Sequence, residues 1–154
     1  MRKIRKFLRF TLADQALLLE TALLIVGVRA ALSLISFQAV QVFLARMGQP
    51  QQATPSDTNA PAVQRILWAV GVTSHYLLRE RPCLTKALVA QMLLSRKGYQ
   101  TTLRIGVAHS STRSLQAHAW LERNSEIVVG QLRDQGRFTP LPPLEVTRHK
   151  LKTF

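Results

Sequence analysis

Thiols and acids are what this chain of 154 residues has least of. Its one cysteine, Cys83, can form no internal disulfide and no multi-thiolate metal site, so a cross-linked secreted scaffold is excluded and a cytoplasmic protein is expected. Eight Asp and Glu stand against 21 Lys and Arg, and the formal net charge of +13 draws acidic partners of any kind. The cations are scattered except for one run at Arg2, Lys3, Arg5, Lys6 and Arg9 and another at Arg148, Lys150 and Lys152. No zinc-finger spacing accompanies them, so no specific nucleic-acid binding is expected. Long uncharged runs are missing as well. Asp14, Glu20 and Arg29 interrupt the apolar segment 11–47, whose longest uncharged runs are 21–28 and 30–45. A membrane span needs about 18–20 such residues, so two packed helices, broken or bent near Gly27 to Ala31, are expected in its place.

What is present is enough for one domain with a core, since 47% of the residues are apolar. The polar stretch GQPQQATPSDTNAP at 48–61 reads as a linker between a helical N-terminal region, 1–47, and the remainder, 62–154. Val63, Ile66, Leu67, Val70 and Leu77 recur near helical spacing and predict a helix over 62–78. A second helix opens at Pro82, carries Leu84, Ala87, Leu88 and Gln91 on one stripe, and stops at Arg96, Lys97 and Gly98. Beyond Gly98 the period changes to alternation. Leu103, Ile105 and Val107 share one strand face; Ala117, Ala119 and Leu121 share a face of the next strand, with His118, Trp120 and Glu122 on its other side. RNSE at 123–126 offers a turn and IVVGQ a returning strand, which makes the expected class α+β.

Cys83 falls in the first turn of its helix, where unpaired N–H groups and the positive end of the helix dipole favour a thiolate. A thiol nucleophile needs a base that takes and returns a proton, and histidine does this best near neutral pH. Of His75, His109, His118 and His149, the best placed is His118, on a strand beside Trp120. The residues alone are equally consistent with Cys83 as a small buried apolar group and His118 as an ordinary strand residue.

RPCLTKALVAQMLLSRKGYQTTLRIGV, followed by QAHAWLERNSEIVVG and RFTPL, resembles the transglutaminase-like cysteine peptidases of lasso-peptide biosynthesis. The resemblance implies a papain-like or transglutaminase-like core with a Cys-His-Asp triad, no cofactor and no metal, in which Cys83 attacks and His118 carries the proton. The family's acid has no counterpart here: its place falls at about Gly130 and Gln131. With a turn centred on Asn124 and Ser125, antiparallel pairing sets Gln131 opposite His118, so Gln131 is the expected orienting residue and Glu122 the alternative, with Glu126 and Asp134 behind them. The implied reaction is removal of the leader from a precursor peptide, and the implied partners are a separate leader-binding protein and a macrolactam cyclase. A peripheral membrane contact through the basic N-terminus belongs to the same set of expectations. Acyl transfer on the same thiol, or a non-catalytic basic binding protein, are the competing readings.

Overall fold

The computed structural model describes residues 11–47, 61–78, 83–109 and 114–142. Among the described residues, four helices and a four-stranded antiparallel sheet follow one another, an α+β arrangement as expected. Most of the linker, 48–60, the residues 79–82 that lead into Cys83, and His149 lie outside the described residues.

Helix α1, Leu12–Leu34, begins where Thr11 caps it. The Thr11 side chain accepts from the Asp14 amide at 3.2 Å and its hydroxyl donates to the Asp14 carboxylate at 2.6 Å. The helix runs unbroken through Gly27, so the interruption expected near Gly27 to Ala31 falls later in the chain. Ile35 is extended and Ser36 starts α2, Phe37–Met47, accepting from the Ala39 amide at 3.4 Å. Capping chemistry at Ser36 stops α1, whereas a lone glycine among good helix formers only weakens it. At 23 residues, with an 18-residue stretch of mean hydropathy 1.9, α1 is long and apolar enough to cross a bilayer. It is nonetheless fastened to the protein body. Leu18, Thr21, Ile25 and Val28 are buried, Asp14 pairs with Arg65 at 2.6 Å, and Glu20 pairs with Arg96 at 2.6 Å.

The Thr11 hydroxyl, with help from Arg65, holds the Asp14 carboxyl below its usual value of 3.8. A lowered folded-state pKa gives a contribution that is complete above the unfolded value and lost as pH falls through the folded one. Denaturant midpoints measured below about pH 4 are therefore expected to drop less steeply in Asp14→Asn than in the parent protein. An equal acid slope in both would show that this clamp contributes nothing to the folded state.

Helix α3, Pro61–Leu77, and helix α4, Cys83–Arg96, complete the helical layer. Ile25 and Val28 of α1, Val40 of α2, Val63, Ile66 and Val70 of α3, and Ala87 to Ala90 with Met92 to Leu94 of α4 bury one another in a single core. The N-terminal helices thus share their core with the segment beyond the linker. α4 closes on a Schellman motif: Tyr99 N–H donates to Leu94 O at 3.0 Å, Gly98 N–H donates to Ser95 O at 2.9 Å, and Gly98 has φ +81°.

Strand β1, Thr102–His109, returns from the end of α4 after a short turn, and β2, Leu115–Arg123, runs antiparallel to it. β2 and β3, Glu126–Val129, form a hairpin through Asn124 and Ser125, whose φ values of 49° and 66° suit a type I′ turn. The sheet order is β3-β2-β1-β4, with β4, Thr139–Pro140, laid on the free edge of β1. The alternation expected for β2 holds. Leu121 and Val129 join the helical core, while Trp120 packs with Ala108 and Phe138 on the other face.

Candidate active site

Cys83 is the first residue of α4 and is half-buried. A side chain there is outside the helical core and adjoins N–H groups that have no partner within the helix. His118 sits on β2, directly opposite Gly106 of β1, and is buried to 8% exposure. Among the described residues no hydrogen bond joins the thiol to the imidazole. His118 projects from the sheet face that carries Trp120 and Phe138.

The imidazole is held on three sides. Its Nε2 lies 2.6 Å from the carbonyl oxygen of Gly130, and since a carbonyl can only accept, Nε2 must be the protonated nitrogen. Nδ1 is then the free acceptor. The indole of Trp120 stacks beside the ring, 5.9 Å between centroids at 19°, and Phe138 closes a third side at 5.4 Å. Two glycines make this cage possible. A Cβ on Gly106 would lie 2.8 Å from the Trp120 ring, so the missing side chain is the slot that the indole occupies. Gly130 has φ +86°, and a Cβ there would lie 2.8 Å from Ala119 O.

Gln131 is not the residue that meets His118. It is exposed, and the neighbouring main-chain carbonyl takes the place expected for its amide. A β-bulge is the reason: Glu122 pairs with Ile127 as a turn at Asn124 and Ser125 requires, but Leu121 pairs with Val129, so Val128 is an extra residue. Every later position on that strand is displaced by one.

Glu122 does not contact His118 either. Its carboxylate accepts from Trp120 Nε1 at 2.8 Å and from Arg104 Nε at 3.1 Å, so it acts on the ring's neighbour. Glu126 is exposed at the hairpin end opposite Arg123, and Asp134 pairs with Arg137 at 2.7 Å. His75 packs edge-on against Tyr76, and His109 is exposed at the end of β1. The sequence assigned no role to Gly106 or Phe138, although LRIGV and RFTPL contain them, and it put Gly130 near the missing acid without reading its carbonyl as the partner of His118.

Neutralising Glu122 while keeping its shape, Glu122→Gln, should cost about 1 kcal/mol of stability, the value of a partly exposed charged pair. Trp120 emission should shift as its N–H partner weakens. A melting curve and a tryptophan spectrum identical to the parent's would remove Glu122 from the support of the cage.

Residues 22–142 match the family model of the transglutaminase-like superfamily, a stretch that contains α4, the whole sheet and every group around His118. The chain belongs to that superfamily. No curated protein and no solved structure matched it. A transglutaminase-like domain usually carries a Cys-His catalytic core completed by an acid, and its chemistry is that of a papain-like cysteine peptidase or an acyltransferase. In this transglutaminase-like chain the group on the imidazole opposite the free nitrogen is a neutral carbonyl, that of Gly130. A carbonyl can fix the tautomer, but it stabilises an imidazolium less than a carboxylate does.

Proposed function

We propose that this protein is a cysteine peptidase that removes the leader from a ribosomally made lasso precursor, freeing the amine of the core peptide for a separate macrolactam cyclase. The observation that carries the chemistry is the fixed tautomer of His118, which leaves Nδ1 as a base in a domain whose one thiol starts a helix. The lasso precursor as substrate is supported by the likeness of the Cys83 helix and of the QAHAWLE strand to that group of peptidases.

Cys83 Sγ gives its proton to His118 Nδ1 and attacks the scissile carbonyl. The oxyanion is stabilised by a main-chain N–H at the start of α4. His118 returns the proton to the leaving amine of the core peptide as the C–N bond breaks, which leaves the leader as a thioester on Cys83. Water, deprotonated by His118, then attacks the thioester, releasing the leader carboxylate and restoring the thiol. Proton transfer requires the two side chains within hydrogen-bond reach, about 2.6–3.2 Å for most pairs and longer for sulfur. His118 lies on the sheet face turned away from the helical core and makes no bond to Cys83 among the described residues, so this step requires a rearrangement that brings the thiol to the imidazole. A separate leader-binding protein presents the substrate.

The test is incubation of the protein with a precursor peptide and its leader-binding partner, followed by mass spectrometry. Leader carboxylate and free core amine are expected together. A leader joined to an added amine in place of water would identify an acyltransferase, and an unchanged precursor would leave only the non-catalytic reading.

A further inference from the structure

The face of α1 turned away from the core carries an apolar stripe on which none of the described residues packs. Leu12, Leu19, Leu23, Val26 and Leu34 are exposed, Leu12 and Leu34 to 83% and 82%, and the exposed Ala16 and Ala30 fill the same stripe. At 1.5 Å per residue this seam extends about 33 Å along the helix. Contiguous exposed apolar surface of this length marks a docking face. Phe43 of α2 is exposed as well, beyond the end of the seam.

The charge pattern decides what covers it. Immediately before α1 the sequence reads MRKIRKFLRF, five cations and no acid, with Ile4, Phe7, Leu8 and Phe10 interleaved. Arg29 is exposed beside the stripe, and Glu20, which also flanks it, is neutralised by Arg96. Basic residues interleaved with Phe and Leu, next to an exposed apolar helix face, are the two halves of an interfacial membrane anchor. A partner protein could bury the stripe, but it would also have to supply an acidic surface beside an apolar one. An anionic bilayer presents both.

We propose that this protein docks on an anionic lipid surface, with the exposed stripe of α1 against the acyl region and the basic run before it against lipid phosphates. The helix does not cross the bilayer. Crossing would pull Leu18, Thr21, Ile25 and Val28 out of the core and break the pairs of Asp14 with Arg65 and Glu20 with Arg96. Such docking would hold the thiol and its peptide substrate at the membrane, whatever reaction Cys83 performs.

The test is co-sedimentation of the full chain with vesicles of phosphatidylcholine alone and of phosphatidylcholine mixed equally with phosphatidylglycerol. Binding to the mixed vesicles is expected to exceed binding to the neutral ones by at least about tenfold and to weaken with salt. The combined variant Leu19→Ser, Leu23→Ser, Val26→Ser should lose at least about tenfold on the mixed vesicles, because two weak anchors must act together. Replacing the five N-terminal cations with Gln should do the same. All these positions lie outside the described core, so circular dichroism should show a parent-like fold, and Leu23→Ser alone serves if the triple variant does not fold. Unchanged vesicle binding in the stripe variants would overturn the proposal, since it would reduce the interaction to non-specific charge. So would a stable dimer that binds no vesicles and dissociates in Leu23→Ser, which would make the stripe an interface between proteins. Vesicle binding needs no cleavage activity, so its failure and that of the peptidase reading are separately visible.

Discussion

Replacing Cys83 with alanine or serine is expected to reduce leader cleavage by at least about 10³-fold, the scale on which removal of a covalent nucleophile acts. The protein should stay folded. Cys83 is half-buried at the mouth of α4 and outside the main core, so either change should alter stability by about 1 kcal/mol or less. Serine is the sharper of the two variants because it differs from the parent only in the attacking atom. Single-turnover cleavage of a labelled precursor, with the leader-binding partner present, reads the effect directly. Trapping of a leader thioester in the parent and its absence in both variants would identify the acyl-enzyme. Parent-like cleavage by purified Cys83→Ala would end the peptidase assignment.

Gly130→Ala should be the most damaging small substitution in the sheet. Alanine at φ +86° carries a penalty of about 1–2 kcal/mol for the left-handed conformation. Its Cβ would also meet Ala119 O at 2.8 Å and Trp120 Cα at 3.1 Å, backbone atoms that cannot rotate away. Overpacking of this kind adds about 1–3 kcal/mol, and the melting temperature should fall by about 5–15 °C. A shift of the 130 carbonyl would also release Nε2 of His118. Turnover should then drop by at least about tenfold, part of the 10²–10⁴ that a positioned base supplies. A general loss of fold would erase every dispersed resonance, so selective loss of the downfield hydrogen-bonded Nε2 proton from an otherwise parent-like NMR spectrum separates positioning from stability. Gln131→Ala provides the contrast: the side chain is exposed, and turnover should stay within about twofold of the parent. If Gln131→Ala lost activity and Gly130→Ala kept both activity and the imidazole proton, the amide and not the carbonyl would be the orienting group.

The candidate site was legible in the sequence to different depths. Cys83 and His118 stood out because each carries a local signal, a thiol at a helix start and a histidine on an alternating strand. The group that faces His118 carried none. A main-chain carbonyl belongs to no residue type, and whether it reaches the ring depends on a bulge at Val128 that no turn rule for Asn124 and Ser125 foretells. Glu122 was read on the correct face, yet its partners Arg104 and Trp120 give it a different task.

The sequence by itself determined what depends on short range: the stop of α4 at Gly98, the turn at Asn124 and Ser125, and the two faces of β2. Each follows from hydrogen bonds or periodicities within a few residues, which neighbours along the chain set without help. Tertiary structure decided which side of α1 is buried and that Trp120 lies across Gly106 with Phe138 closing over His118. Those outcomes depend on pairing register and on contacts between distant segments. A register changed by one residue exchanges every partner while leaving local propensity untouched.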